Sequence, residues 1–264
     1  MSNATATPLI SVVSITLNDR DGLWRTVESL QSQTDAPSYE HIVVDGVSDY
    51  DVAGLLAEMG STAQLHQGSD KGLYDAMNIG TGLAHGGYLI YLNSGDTLAG
   101  PEVLSEVGTV LTSERPDFLY GDSLERQLDG EDVFKIAHSH NSAPVRMFTH
   151  HQSMIFRRAI VSDAGLRYDL AYPIAADYDF TLRFLKQANR IVRFPGVIAN
   201  FSAGGVSQVK HHVGRREQFV VRRQHFGNTG FALRVYLMQV FGHFMRAFSP
   251  KLYWRLRAFA GKRS

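Results

Sequence analysis

The stretch Leu9–Thr16, with the sequence LISVVSIT, indicates the fold class of this chain. It is a run of β-branched and apolar residues, and such runs are typical of a parallel strand that is buried on both faces. A helical pattern follows, with Leu23, Val27 and Leu30 on one stripe. The chain therefore opens as a strand–helix unit of an α/β protein.

The same alternation continues downstream. His41–Val44 and Tyr88–Leu92 are apolar runs that predict strands, and helical spacing occurs in Val52–Met59, Leu73–Ala84 and Pro101–Leu111. Strands that alternate with helices favour a Rossmann-like, three-layer α/β/α architecture around a mostly parallel sheet. Ligands of such sheets bind beyond the carboxyl ends of the strands, where Asp45 and Asp96 lie.

The second half of the chain is less regular. Its predicted elements are strands at Phe118–Tyr120, Val133–Ala137 and Ile191–Phe194, the last ended by Pro195-Gly196, and a helix at Asp177–Gln187. Beyond Gln208 the pattern is helical. We therefore predict an α/β domain over residues 1–208 and a helical, basic and aromatic extension over residues 209–264.

Composition excludes several classes of protein. The 264 residues are 44% hydrophobic and 20% charged, so the chain can bury a core and is not disordered. The formal net charge of zero disfavours a uniformly basic nucleic-acid-binding protein, and the absence of cysteine excludes thiolate metal sites and a cysteine nucleophile. Met1–Pro8 has no apolar run typical of a secretory signal, so we expect a cytoplasmic location.

The neutral net charge hides an asymmetry along the chain. From Lys210 onward there are twelve basic residues and one acidic residue, Glu217, so this segment carries +11 and the rest of the chain −11. Aromatic residues such as Trp254 are interleaved with the basic ones, which suits an anionic membrane surface. We expect this tail to lie on the inner face of the cytoplasmic membrane. Packing on the α/β domain or in a homodimer is the alternative.

Five motifs follow one another along the chain. They are Ser11–Gln33 (SVVSITLNDRDGLWRTVESLQSQ), Val43–Asp49 (VVDGVSD), Asp70–Gly80 (DKGLYDAMNIG), Gly87–Asp96 (GYLIYLNSGD) and Ala176–Arg183 (ADYDFTLR). In this order and spacing they resemble the nucleotide-sugar glycosyltransferases of family 2, and above all the bacterial enzymes that build exopolysaccharide or O-antigen units, including the colanic-acid type. The resemblance covers Leu9–Gln208.

This resemblance implies a GT-A fold and an activity. The expected reaction is an inverting, metal-dependent transfer of one sugar from a UDP- or GDP-sugar donor to a hydroxyl group of a saccharide acceptor, which we expect to be lipid-linked. The Gln-x-x-Arg-Trp motif of the processive members is absent from the sequence, which favours transfer of a single sugar. Ala203–Ser207 resembles a segment that closes over the donor, with a simple linker as the alternative.

The resemblance also assigns donor-binding roles near the strand ends. Thr16 and Asn18 lie where the nucleotide pocket begins, and Asp45 corresponds to the acidic residue that contacts the base. A carboxylate can accept an N–H from uracil or guanine. The structural alternatives are a strand-end turn at Thr16 and Asn18, and capping of the turn Gly46–Ser48 by Asp45.

Further donor residues are implied around the next helix. Asp70 corresponds to a residue that holds the base or ribose, and Lys71 faces phosphate as a point charge. The alternative for Asp70 is the N-cap of the helix that begins near Leu73. Asn78 is expected to support the nucleotide loop, and Asn93 to contribute to the donor site.

The metal site of the family corresponds to Asn93-Ser94-Gly95-Asp96. Ser94 and Gly95 replace the first two positions of the D-x-D sequence, so Asp96 is the remaining carboxylate ligand. Mn²⁺ or Mg²⁺ takes few protein ligands and completes its coordination with water and phosphate oxygens, so one carboxylate is compatible with either ion.

The catalytic base of the family corresponds to Asp177. It would accept the proton of the acceptor hydroxyl group. Asp179 is two residues away and points about 200° from Asp177 on a helix, so only one of them can face the site. The alternative for Asp177 is the N-cap of the helix. His151 is a candidate substrate contact, with a buried structural histidine as the alternative.

Two other functions remain open on the sequence. A sugar nucleotidyltransferase usually carries a glycine-rich loop after the first strand, which Ser14–Asn18 lacks. A non-catalytic, membrane-docked partner that binds a nucleotide sugar is favoured by the reduced metal motif and disfavoured by the presence of Asp177.

Overall fold

The structure is a computed structural model that describes residues 7–127, 131–202 and 211–248. The chain divides into two compact units, Met1–Val209 and Lys210–Ser264. The strands of the first unit are β1 Ile10–Thr16, β2 Tyr39–Asp45, β3 Gln64–Gln67, β4 Tyr88–Tyr91, β5 Thr97–Leu98, β6 Phe118–Arg126, β7 Val133–Lys135, β8 Met154–Arg157 and β9 Ile191–Ser202. Its helices are α1 Arg20–Gln31, α2 Val52–Glu58, α3 Leu73–Leu83, α4 Val103–Ser113, α5 Arg158–Asp163 and α6 Ala176–Leu185.

The strands form one mixed sheet in the order β3-β2-β1-β4-β8-β6-β9-β5, with β7 paired to β6. Strands β3, β2, β1 and β4 are parallel to one another, and β8 joins this half to β6 in antiparallel pairing. Thr16 is the register partner of Asp45, so the loops that follow β1 and β2 leave the sheet at the same edge. This edge carries most of the predicted donor-binding residues.

Helices cover both faces of the sheet, as the three-layer prediction required. Val12 of β1 belongs to an apolar cluster that includes Leu30 of α1 and Leu104 of α4. Val13, one residue further and on the opposite face, packs against α3. An ideal Cβ on Gly80 would lie 2.4 Å from Val13 Cγ1, so glycine allows α3 to approach β1 closely.

Strand β9 differs from its prediction. It does not end at Pro195-Gly196 but continues to Ser202 beside β6. The register shifts here, because Tyr120 pairs with Arg193 whereas Asp122 pairs with Val197. Pro195 and Gly196 fall in this irregularity. Pro195 has no backbone N–H to donate, so the hydrogen bonding to β6 is interrupted there, but the strand does not end.

The second unit contains helices α7 His211–Phe226 and α8 Thr229–Phe248 among its described residues. Phe219 of α7 and Tyr236 of α8 have ring centroids 5.9 Å apart, and Gln239 Nε2 donates to Gln218 Oε1 at 3.1 Å. In the described part of the chain, no helix combines the length and hydropathy needed to cross a membrane. Trp254 and the other residues predicted to bind a membrane beyond position 248 lie outside the described residues.

Candidate active site

Asn18 holds together the loops that follow β1 and β2. Its backbone N–H donates to Ser48 Oγ at 2.9 Å, and its Oδ1 accepts the backbone N–H of Asp49 at 2.8 Å. Its φ of 53° is left-handed, a conformation in which asparagine is enriched. Thr16 is buried, and its Oγ1 lies 3.4 Å from the Tyr50 hydroxyl oxygen. Asn18 therefore shapes the loop, and donor contacts of Thr16 and Asn18 stay predictions.

Asp45 is fully buried at the end of β2. Its Oδ1 accepts the backbone N–H of Ser48 at 3.0 Å and the Ser48 hydroxyl at 2.6 Å, and its Oδ2 accepts Gln67 Nε2 at 3.1 Å. These bonds cap the turn after β2, which is the structural alternative given above. They leave little of the carboxylate's accepting capacity for a base. A contact between Asp45 and the base stays a prediction.

Asp70 forms a tight turn before α3. Its Oδ1 accepts the backbone N–H of Gly72 at 2.7 Å. The N-cap of α3 is Gly72, with φ 110°, so the alternative that Asp70 is the N-cap is wrong. An ideal Cβ on Gly46 would lie 2.8 Å from Asp70 Oδ2, so Asp70 lies against the turn that Asp45 caps. These two predicted donor residues are therefore neighbours.

Lys71 is exposed beside this turn. Its backbone N–H donates to Oδ2 of Asp75 at 3.0 Å, and Asp75 lies in the first turn of α3. An acidic residue there stabilises the positive end of the helix dipole. This bond uses only the backbone of Lys71, and a contact of its ammonium group with phosphate stays a prediction.

Asp96 ends the loop after β4 and is buried, with 6% of its surface exposed. Its Oδ2 accepts Gln152 Nε2 at 3.0 Å. Burial raises the pKa of Asp96 to about 7, while hydrogen bonds from Gln152 and from the backbone of Asn93 and Ser202 oppose the rise. Gly95 before it has φ +90°, a left-handed value that glycine adopts without strain.

The residues of this loop fit a hard cation. Asn93 Oδ1 and Ser94 Oγ are buried and have no hydrogen-bond partner among the described residues, and both are oxygens of the loop that ends at Asp96. Oxygen donors are what Mg²⁺ and Mn²⁺ select. In residues 7–127, 131–202 and 211–248, no group of three acidic, histidine or cysteine side chains could hold a metal by itself.

Asp177 and Asp179 lie in the first turn of α6. Asp179 is buried; its Oδ2 accepts the Nε–H of Arg183 at 2.8 Å and forms an ion pair with Nη2 of the same guanidinium at 2.8 Å. Asp177 is half-buried, and its Oδ1 accepts the backbone N–H of Tyr178 at 2.7 Å. The N-cap of α6 is Ala175, so the alternative that Asp177 is the N-cap is wrong. The role of Asp177 as base stays a prediction.

A short 3-10 turn, His151–Ser153, connects the surroundings of the two carboxylates. Gln152 binds Asp96, and His151 Nε2 lies 3.1 Å from the Tyr168 hydroxyl oxygen. Burial raises the pKa of Tyr168 well above its usual value, with smaller contributions from neighbours that include Asp177. Through Gln152 and His151, the turn therefore links Asp96 to Tyr168, whose pKa is also influenced by Asp177.

The side chain of His151 is packed in the core of the first unit. It is buried, stacks on Tyr91 with ring centroids 5.1 Å apart, and burial lowers its pKa to about 4. These contacts match the structural alternative, and a substrate contact of His151 stays a prediction. Gln152 was not predicted, although the His-Gln pair before a strand was the available signal.

Helix α3 supports the segment that leads into α6. Asn78 Nδ2 donates to the backbone oxygen of Tyr168 at 2.9 Å, and Asn78 Oδ1 accepts the backbone N–H of Tyr168 at 2.8 Å. Tyr74 donates its hydroxyl to the backbone oxygen of Ile174 at 2.8 Å. Asn78 thus supports the approach to Asp177 rather than the nucleotide loop. The predicted closing segment Ala203–Ser207 lies outside the described residues.

Comparison with solved structures identifies the fold class of the chain. Staphylococcus aureus TarS 1–349 in complex with UDP matches with a TM-score of 0.66 and 18% identity, covering 91% of this chain and 72% of that one. The mannosyltransferase PcManGT from Pyrobaculum calidifontis, in complex with GDP-Man and Mn²⁺, matches with a TM-score of 0.61 and 15% identity, covering 98% and 81%. At these identities the likeness establishes the fold, which is GT-A.

Sequence comparison gives the family. Glycosyl transferase family 2 matches residues 11–164. An uncharacterized glycosyltransferase of Mycobacterium tuberculosis is 36% identical over 187 residues, which are 68% of this chain and 70% of that protein. A PGL/p-HBAD biosynthesis glycosyltransferase of Mycobacterium bovis is 30% identical over 214 residues, 76% and 80% of the two chains. The chain belongs to glycosyltransferase family 2.

Proposed function

We propose that this chain is an inverting, metal-dependent enzyme that transfers one sugar from a UDP- or GDP-sugar to a hydroxyl group of a lipid-linked saccharide in cell-surface polysaccharide synthesis. The observation that supports it most is the 3-10 turn His151–Ser153. Through Gln152 it contacts Asp96, and through His151 it contacts Tyr168, whose surroundings include Asp177. This chain of contacts supports the proposal that one carboxylate for the leaving group and one for the acceptor serve a single site.

The chemistry follows from the two carboxylates. Asp177 accepts the proton of the acceptor hydroxyl group as that oxygen forms a bond to the anomeric carbon. The bond from the anomeric carbon to the diphosphate oxygen breaks on the opposite side, so the configuration inverts and the nucleoside diphosphate leaves with the electron pair. Asp179 is paired with Arg183 and is not available as the base.

Asp96 would hold the divalent cation, with Asn93 Oδ1 and Ser94 Oγ as neutral oxygens beside it. When bound, Mn²⁺ or Mg²⁺ supplies positive charge that stabilises the departing diphosphate. Burial keeps the Asp96 carboxyl partly protonated near neutral pH, since its pKa is raised to about 7. The cation favours the ionised carboxylate and also offsets the negative charge of the donor diphosphate, so ion and donor are expected to bind together.

The donor is identified by a thermal-shift screen of UDP-, GDP- and dTDP-sugars with Mn²⁺. A ligand at one hundred times its Kd stabilises the folded state by about 2.7 kcal/mol. Donor hydrolysis or transfer, measured on the stabilising nucleotide sugar, then separates an enzyme from a non-catalytic binding protein.

Asp96→Ala is the variant that tests the metal assignment. We expect it to keep the fold, to lose metal-dependent turnover and to lose the extra stabilisation that Mn²⁺ gives with the donor. Asp21→Ala removes an exposed carboxylate from α1 and serves as the control. Full metal-dependent activity in Asp96→Ala would refute the metal role of Asp96.

A further inference from the structure

Helix α8 exposes a continuous apolar stripe. The members of the stripe have 38–75% of their surface exposed and are Leu233, Leu237, Val240, Phe241, Phe244 and Phe248. At 100° per residue they fall within an arc of about 100°. Ala232 and Val235 are buried on the other side of the helix, and Tyr236 and Gln239 contact α7. The stripe therefore points away from α7.

Both helices of this unit carry exposed basic residues. Arg216 and Arg223 of α7 and Arg234 of α8 are exposed, and α8 contains no acidic residue. Glu217 is the one acidic side chain between Lys210 and Ser264, against twelve basic ones. Residues 249–264, outside the described part of the chain, add five more basic residues and the aromatic residues Tyr253, Trp254 and Phe259 to the sequence.

We infer that α8 docks on an anionic lipid bilayer, with the stripe inserted at the acyl boundary and the basic residues at the headgroups. From Leu233 to Phe248 the helix is about 24 Å long, and an amphipathic helix of this kind lies in the plane of the membrane interface. Exposed apolar patches of this kind mark interaction sites.

The charge decides between a bilayer and a second copy of this chain. If two stripes paired, they would bring together two segments that each carry +11. An anionic bilayer supplies the opposite charge and an apolar phase at once. This inference concerns where the protein binds, and it holds or fails independently of the sugar that it transfers.

Co-sedimentation of the full chain with vesicles tests it. Phosphatidylcholine vesicles are compared with vesicles that also contain phosphatidylglycerol, at low and at high salt. We expect strong binding to the anionic vesicles at low salt, and weaker but measurable binding at high salt, where the charges are screened and the apolar stripe still contributes.

Phe244→Gln tests the stripe, and Met238→Gln is its matched control. Phe244 and Met238 are 54% and 61% exposed on the same helix, about 120° apart around its axis. We expect Phe244→Gln to weaken binding to anionic vesicles about tenfold, the effect of losing one buried aromatic side chain, and Met238→Gln to change it little. Phe241→Gln, with unchanged circular dichroism, repeats the test if Phe244→Gln does not fold.

Three results would overturn the inference. These are equally weak binding to both kinds of vesicle, equal losses in the stripe and control variants, and a dimer in light scattering that Phe244→Gln dissociates. The thermal shift with donor and Mn²⁺, measured without vesicles, should be the same in all three variants. A failure of membrane docking is thereby distinguished from a failure of the proposed activity.

Discussion

Two aspartates in the same helical turn have different surroundings. Asp179 is buried and bound by both Nε and Nη2 of Arg183, so its charge serves the structure. Asp177 is half-buried, and its Oδ1 accepts the backbone N–H of Tyr178. A general base needs access to the proton that it accepts. The environments therefore favour the choice of Asp177, which the sequence motif had suggested.

Substitution of each aspartate should separate the two roles. We expect Asp177→Asn to keep the melting temperature and donor affinity and to lose transfer by a factor of about 10²–10⁴, the usual contribution of general-base catalysis. Asp179→Asn should instead lower the free energy of unfolding by about 1.5–3 kcal/mol, because it weakens charge-assisted hydrogen bonds. Single-turnover kinetics and urea unfolding measure the two effects. A loss of donor affinity in Asp177→Asn as large as the loss of rate would assign Asp177 to binding.

His41 gives a prediction for pH. It is buried at the centre of β2, its Nε2 lies 2.9 Å from Ser14 Oγ, and burial lowers its pKa from 6.5 to about 4. The unfolded chain therefore takes up this proton first as the pH falls, so the stability that the neutral histidine provides is present above pH 6.5 and is lost towards pH 4. The loss between pH 7 and pH 5 is on the order of 2 kcal/mol.

Urea unfolding at pH 7 and pH 5 measures this loss. His41→Gln keeps a hydrogen-bonding side chain that does not titrate, so its free energy of unfolding should fall less over the same range. His85→Gln, at an exposed histidine, is the control and should behave like the parent chain. Equal slopes in the parent chain and His41→Gln would contradict the assignment.

Some residues of the site were beyond prediction from the sequence. The Asp96–Gln152 pair is 56 residues apart along the chain, and the Asn78–Tyr168 pair 90 residues apart. Nothing local in the sequence indicates such pairs, because each joins segments that only the folded chain brings together: the first forms where β4 and β8 are neighbours, and the second joins α3 to the segment after α5. Asp45 and Asp70, in contrast, bind backbone groups two or three residues away, and their turn chemistry is visible in the sequence.

At the scale of elements, α3 is a brace for the approach to α6. Two hydrogen bonds join the Asn78 carboxamide to the backbone of Tyr168, and a third joins Tyr74 to Ile174. Tyr168 in turn stacks on Phe180 of α6, with ring centroids 4.4 Å apart. The helix that follows Asp70 and Lys71, the predicted donor residues, therefore also positions the helix that carries Asp177.

Asn78→Ala should loosen this brace. It leaves the buried N–H and carbonyl of Tyr168 without partners, so we expect the free energy of unfolding to fall by about 2–4 kcal/mol. If α3 also positions Asp177, the rate of transfer should fall more than donor affinity does. Gln64→Ala, at an exposed carboxamide of β3, is the control for both measurements. Unchanged transfer kinetics in a folded Asn78→Ala protein would restrict Asn78 to stability.

The helices and strands that could be predicted are those whose own sequence shows a regular pattern of apolar residues. Strands β1, β2 and β4 are continuous apolar runs, and α1, α3 and α4 show helical spacing, so all were identified. Strand β3, with the sequence QLHQ, is polar and at the edge of the sheet, so it has no such run. Strand β8 is short, and pairing with β4 and β6 makes it a strand, which the sequence alone does not show.

At the scale of the whole molecule, the positive and negative charges lie in different segments of the chain. The chain has formal net charge zero and a pI of about 7.2, yet residues from Lys210 onward carry +11 and the preceding residues −11. Net charge keeps proteins apart in solution, and this chain has almost none near neutral pH. Opposite segments of different copies can then attract one another.

We therefore expect weak self-association at pH 7 that salt disperses. The Debye length falls from about 30 Å at 0.01 M salt to about 8 Å at 0.15 M, so attraction between opposite segments should weaken steeply over this range. Static light scattering should give a negative second virial coefficient at low salt that rises towards zero or above at 0.15 M. A salt-independent dimer would contradict this expectation and would indicate an apolar contact. Adding Phe244→Gln to the same series distinguishes the two causes, since charge-driven association keeps its salt dependence in that variant whereas an apolar dimer through the α8 stripe dissociates.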